Sequence, residues 1–273
     1  MRARSTMEGA GVKLYRAFGF FEAPLFDPFL LLDDFHSQNP ADYIKGFPWH
    51  PHRGIETMTY VLNGLIEHGD SMGNTGKISS GDVQWMTAGS GIIHQEMPQV
   101  TEHSLMWGFQ LWLNLPSSHK MMPPRYREIP SSGIPESFRD NGVRIRVISG
   151  MIDGVTGPVS DVVTQPTFFD VAIPMEQDFV YDLPSDHTLL IYVIQGAGFF
   201  DPGKTVLTGE KALVVYGPGE SLYVKSGADS VRFLLMAGKP IGEPVAWKGP
   251  IVMNTDEELE NAFQEFREGR FIK

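Results

Sequence analysis

His50 and His52 stand two residues apart in Phe47-Pro48-Trp49-His50-Pro51-His52-Arg53-Gly54, and His94 and Glu96 repeat that spacing in Ile92-Ile93-His94-Gln95-Glu96. In extended backbone, residues i and i+2 project from the same face. Two steps of about 3.3 Å put such a pair roughly 7 Å apart at the backbone, within reach of one cation. Pro51 removes a backbone donor, as suits a strand edge or a strand start. On neighbouring strands the four side chains converge as three imidazoles and one carboxylate. That donor set leaves two positions of an octahedral ion open, and it suits iron(II), manganese, cobalt or nickel. The chain has no cysteine, which removes disulfides, thiolate zinc sites, iron–sulfur clusters and cysteine nucleophiles. His36, His68, His103, His119 and His187 lack a partner at ligand spacing. They are expected as surface or hydrogen-bonded structural histidines.

The elements that must position these groups are short strands. Residues 112–115, 143–148, 188–194, 212–216 and 231–236 are brief apolar runs punctuated by Gly and Pro, the pattern of a sandwich or barrel. Helical periodicity is confined to the end. Thr255 precedes Glu258 at capping-box spacing, and Leu259, Ala262, Phe263 and Phe266 follow at i, i+3, i+4 and i+7. With Gly269 as a stop, this predicts a helix over Asp256 to Glu268. Residues 116–141 are rich in Pro, Ser and charge and divide the chain into two strand-rich halves. Tyr60-Val61-Leu62-Asn63-Gly64 is echoed by Tyr192-Val193-Ile194-Gln195-Gly196, which favours two barrels of one kind. The expected layout is a metal-binding barrel over 1–130, a linker over 131–142, and a metal-free barrel with the C-terminal helix over 143–273. The second half offers no His-x-His near its echo, and Asp201, Glu210 and Glu220 read as solvated.

At 273 residues the chain is long enough for a sizeable core. Its 33 acidic against 22 basic residues give a net charge of −11. That argues against a nucleic-acid backbone as the main partner. No apolar stretch approaches a membrane span, and no signal-peptide pattern follows the charged N-terminus. The expectation is a cytoplasmic protein with no membrane partner.

The run His50-x-His52-x₃-Glu56 with Gly64 downstream resembles the first motif of the cupin superfamily, and Gly91-x-x-His94 resembles the second. More closely, residues 47–57 and 81–98 resemble the pirin family, as do Gln110-Leu111-Trp112-Leu113-Asn114-Leu115-Pro116 and Gly249-Pro250-Ile251-Val252-Met253-Asn254-Thr255. The resemblance implies an all-β chain of two tandem cupin-type (jelly-roll) barrels with a short C-terminal helix. One divalent transition metal would sit in the first barrel on His50, His52, His94 and Glu96. Iron(II) leads, with manganese, cobalt, nickel or zinc as alternatives. The general cupin pattern departs here: Thr87 stands at its proline position, and its first motif would recruit Glu56 as ligand. Glu96 is preferred because His-x-Glu mirrors His-x-His. Glu56 is then expected to orient a histidine by hydrogen bonding.

The family resemblance further implies a quercetin 2,3-dioxygenase type of activity. A flavonol would chelate the metal, O2 would open its ring, and Glu96 would act as both ligand and proton acceptor. A flat aromatic or enediol substrate wants an apolar mouth. Phe47 and Trp49 flank the first histidine pair and are expected either to line that mouth or to pack in the barrel. The alternative the family implies is a non-enzymatic, metal- or redox-dependent regulator that binds a partner protein. A cupin sugar-phosphate isomerase would need a cation beside the metal, and Arg53, the nearest, has the wrong strand parity.

Overall fold

The computed structural model describes residues 1–273. The strands in chain order are β1 (Arg4–Glu8), β2 (Val12–Phe18), β3 (Phe29–Ser37), β4 (Phe47–His52), β5 (Ile55–Asn63), β6 (Leu65–Asp70), β7 (Thr75–Ser79), β8 (Val83–Thr87), β9 (Ile92–Gln99), β10 (Met106–Asn114) and β11 (Arg125–Ile129). Then come β12 (Glu136–Phe138), β13 (Arg144–Ser149), β14 (Met151–Ile152), β15 (Val155–Thr156), β16 (Thr167–Ile173), β17 (Asp178–Asp182), β18 (Thr188–Phe199), β19 (Leu207–Gly209), β20 (Leu213–Val215) and β21 (Ser221–Gly238). The chain closes with β22 (Ala246–Lys248), β23 (Ile251–Met253) and helix α1 (Asp256–Arg267).

Two compact units result: Arg4–Ser131 with Ile241–Lys273, and Ser132–Pro240 with Met1–Ala3. The larger unit pairs a seven-stranded sheet, β1-β2-β3-β10-β5-β8-β11, with a four-stranded sheet, β4-β9-β6-β7. Strand β9 shows how sequence becomes architecture. Ile92, His94, Glu96 and Pro98 are buried while Ile93, Gln95, Met97 and Gln99 are half-exposed, the period-two signature of a strand with one face on a core. Two apolar clusters fill the unit. One holds Val12, Leu14, Phe35, Val61, Ile66 and Ile78, and the other holds Leu30, Ile55, Met86, Ala88, Ile92 and Val252.

The smaller unit is built on β12-β13-β16-β21-β18-β19, with β17 on β21 and β20 on β18. Its interior is packed with aliphatic and aromatic side chains, among them Val147, Phe169, Ile191, Val224, Phe233 and Leu235.

Two expectations about layout are corrected. Residues 131–142 are not a free linker, because β12 pairs with β13 through Glu136 to Arg146. The C-terminal helix does not belong with the second barrel. Leu259 and Ala262 bury against Ile251, Met253 and Phe271 in the larger unit. The capping box forms as expected, with Thr255 accepting from the Glu258 amide and Glu258 reaching back to the Thr255 amide. Phe266 stays partly exposed and meets Phe271 edge-on at 5.4 Å.

A candidate metal centre

Strands β4 and β9 pair antiparallel with His50 opposite His94 and His52 opposite Ile92. This register brings one nitrogen from each of His50, His52 and His94 within 4.8 Å of the others. Ring centroids lie 4.4 Å apart for His50 and His94, 4.9 Å for His50 and His52, and 5.0 Å for His52 and His94. Burial, and then its histidine neighbours, hold His52 and His94 well below the usual imidazole range, so both are neutral.

Backbone carbonyls set the tautomers. His50 Nδ1 lies 2.8 Å from the Pro48 carbonyl oxygen and His52 Nδ1 lies 3.1 Å from that of Pro250. A carbonyl oxygen can only accept, so each Nδ1 carries the proton and each Nε2 presents a lone pair. Those two Nε2 atoms are 3.1 Å apart. Facing lone pairs repel unless a cation lies between them. Two nitrogens each about 2.1 Å from one ion and at right angles are about 3.0 Å apart. Both nitrogens of His94 are buried without a hydrogen-bond partner, an unfavourable state that a metal bond would relieve at one of them. The three histidines therefore fit a divalent metal.

Glu96 is close by but is not part of that cluster. It is buried, its Oε1 accepts from Thr59 Oγ1 at 2.7 Å, and its Oε2 accepts from Gln110 Nε2 at 2.7 Å. Trp112 Nε1 donates to Gln110 Oε1 at 3.1 Å and so fixes the amide. Three expected ligands meet, and the fourth is held beside them by a Trp112–Gln110 relay. Glu56 is a clear correction. It lies on the opposite face of β5 from Thr59, with Oε1 accepting from Thr87 at 2.7 Å. The chain turns at Gly54, with φ of +78°, between β4 and β5, so the two strands do not share one run of alternation.

His68, expected as an ordinary structural histidine, is fully buried 5.5 Å from the His94 ring and stacked on Tyr126 at 4.7 Å. Its importance depends on the β6–β9 register, with His68 opposite Glu96, which spacing alone does not reveal. Thr59, Gln110 and Trp112 were also missed. Alternation along β5 and β10 was a signal for all three, and Gln110 and Trp112 also stand in the family-like run 110–116.

The C-terminal segment completes the site. Val252 N donates to the Arg53 carbonyl at 3.1 Å. A Cβ on Gly54 would sit 1.9 Å from the Val252 carbonyl oxygen, so only glycine fits there. Arg53 turns away from the histidines, as its parity implied. It donates to the Ser90 carbonyl, the Glu265 carboxylate and the Phe271 carbonyl at 2.7, 2.7 and 2.8 Å. Lys120 Nζ donates to the carbonyls of Gly54 and Val252 and to Asn114 Oδ1.

A cavity of about 690 Å³ opens onto His50 and His52. Phe47, Trp49, Trp112 and Trp247 are among its walls, with Phe20 and Pro250. Phe47 also packs on the apolar cluster beneath. Trp49 is 56% exposed.

A largely buried three-histidine centre on one of two strand-built units, in a chain with a single α-helix, defines a two-barrel cupin protein. The first half matches the pirin family model over residues 11–113, and the second matches the pirin C-terminal cupin domain over residues 168–272. A pirin-like protein of Caulobacter vibrioides is 44% identical, covering 99% of this chain and 97% of the relative. Pirin-like protein 2 of Arabidopsis thaliana is 41% identical over 98% of this chain and 83% of its own length. A crystal structure of quercetin 2,3-dioxygenase from Acinetobacter baumannii superposes with a TM-score of 0.89 at 32% identity, covering 99% of this chain and 95% of that one. The chain belongs to the pirin family.

Proposed function

We propose that this protein is a metal-dependent dioxygenase of the quercetin 2,3-dioxygenase type, acting on flavonols or related enediol chelators with O2. The observation that carries this is that His50 and His52 of the three-histidine centre open onto a cavity walled by Phe20, Phe47, Trp49, Trp112 and Trp247. The similarity to the Acinetobacter baumannii enzyme supports it.

His50, His52 and His94 would hold the metal, with Glu96 as the neighbouring carboxylate, and iron(II) is the proposed native ion. When bound, the metal supplies Lewis acidity that lowers the pKa of a coordinated hydroxyl and a site for redox chemistry with O2. The protein's own groups do the rest. Trp112 meets His52 edge-on at 4.9 Å and, with Trp49 and Trp247, offers flat apolar surface to an aromatic ring. Glu96 accepts the hydroxyl proton of the substrate as it binds, and Thr59 and Gln110 hold its carboxylate in place. Arg53 offers no charge to a phosphate, because its guanidinium is committed to Ser90, Glu265 and Phe271. No helix is long and apolar enough to cross a membrane, and a cytoplasmic site of action is proposed.

The test is anaerobic addition of quercetin to metal-loaded protein. The flavonol absorption band should move to longer wavelength on chelation and bleach when air is admitted. No movement and no bleaching with iron, manganese, cobalt or nickel would remove the proposal.

A further inference from the structure

Part of the cavity wall is charged in a way that the histidines do not explain, and it adjoins the centre, since Asp33 pairs across β3 and β10 with Gln110. Arg16 on β2, Asp33 on β3 and Glu8 at the end of β1 line it together. They belong to the seven-stranded sheet, whereas His50, His52 and His94 belong to β4 and β9 of the other. Arg16 Nε and Nη2 donate to the two Asp33 oxygens at 2.8 and 2.7 Å, and Arg16 Nη1 lies 2.8 Å from Glu8 Oε1. Asp33 is only 8% exposed at its side chain, while Glu8 is 41% exposed at the rim. Arg16 is the one Lys or Arg in the lining.

One cation facing two carboxylates leaves this wall with a net negative charge. Each of the three nitrogens of Arg16 already faces a carboxylate oxygen, so the wall has no unmatched cation for a carboxylate, sulfonate or phosphate of a ligand. What it retains is acceptor capacity, because a carboxylate oxygen has lone pairs beyond the one used by Arg16. An entering hydroxyl can donate to it in a charge-assisted hydrogen bond. An entering anion would be desolvated against like charge.

We propose that Asp33 and Glu8, braced by Arg16, are specificity-determining residues that select neutral aromatic ligands carrying hydroxyl groups in addition to the chelating pair. They equally reject ligands with an anion in place of such a hydroxyl. The inference rests on the proposed flavonol chelation at the histidines and names the substrate features that chelation alone leaves open. The aromatic walls grip any flat ring, and the Arg16–Asp33–Glu8 wall grades what hangs from it.

Four probes test this against the metal-loaded protein without oxygen: unsubstituted flavonol, the flavonol with one hydroxyl on its pendant ring, the flavonol with a catechol there, and the flavonol with a carboxylate there. Each is followed by the shift of its own absorption band. Affinity is expected to rise about five- to tenfold for the catechol over the unsubstituted compound and to fall at least about tenfold for the carboxylate. Asp33→Asn should flatten the series. Because that change touches a buried ion pair, Glu8→Gln at the rim provides a second variant, expected to narrow the carboxylate penalty severalfold with the Arg16–Asp33 pair intact. Equal midpoints for all four probes would overturn the assignment and leave flavonol chelation standing. So would a series that neither variant changes. Absence of a shift with every probe would remove flavonol chelation itself, and this assignment with it.

Discussion

His52 takes its orientation from a carbonyl 198 residues further along the chain, and His94 has no hydrogen-bond partner at all. Both imidazoles are neutral because burial opposes their charging. That has a consequence for pH. In the unfolded chain each histidine protonates near its ordinary value of about 6.5. Below that pH the unfolded state binds more protons than the folded state, so stability is lost as pH falls. Burial holds Asp33 up at about 6 against its Arg16 partner, and this acts in the opposite sense over part of the same window. Comparing metal-free wild type with His94→Gln cancels the Asp33 contribution. From about pH 6.5 downward, wild type should lose about 1.4 kcal/mol per pH unit relative to the variant. Denaturant melts across that range check it, and parallel curves would show that His94 is not held neutral. At this scale the histidine pairs were legible in the sequence, because alternation along one strand is a local property. Glu56 was expected to orient a histidine, but beyond the turn at Gly54 its carboxylate accepts from Thr87 instead. Glu56→Gln should therefore keep full metal binding and shift stability by no more than about 1 kcal/mol, since Gln can still accept from Thr87. A metal titration and a melt decide that together.

Among the elements, the C-terminal segment matters most to the site. Strand β23 runs beside Arg53, and the loop before it brings the Pro250 carbonyl to His52. Arg53 ties the start of β5, the loop before β9 and the tail after α1 into one cluster. Arg53→Met would strand the Ser90 and Phe271 carbonyls, and an expected destabilisation of about 2–4 kcal/mol follows. Its effect on the centre is expected as a metal affinity about tenfold or more weaker, through loss of the carbonyl that orients His52. Competition with a chelator of known affinity measures this, and an unchanged affinity would show that the segment is only scaffolding. Little of the arrangement could be read from the sequence. Helix α1 was legible from its capping box and apolar spacing. Which barrel it joins was not, because Arg53 to Ile251 is a long-range pairing with no local signature.

For the whole molecule, the strand-rich texture and two-part organisation follow from short apolar runs cut by Gly and Pro. What separates the two units chemically is their interior. The larger buries His52, Thr59, His94 and Glu96 as well as its apolar clusters, and the smaller holds one large apolar cluster. Metal should therefore stabilise through the larger unit. At a free concentration one hundred times the dissociation constant it should add about 2.7 kcal/mol. In hydrogen exchange, the new protection should fall on β4, β6 and β9. Slowing confined to strands of the smaller unit would contradict the placement of the centre.

The most direct measurement is the stoichiometry at which chelator-stripped protein takes up iron(II) in an anaerobic titration, taken side by side for wild type, His94→Ala, Glu96→Gln and Glu56→Gln. One tight equivalent is expected in wild type and in Glu56→Gln, a weakened one in Glu96→Gln, and none in His94→Ala. A tight equivalent surviving in His94→Ala, or a site emptied by Glu56→Gln while Glu96→Gln stays loaded, would contradict the centre described above.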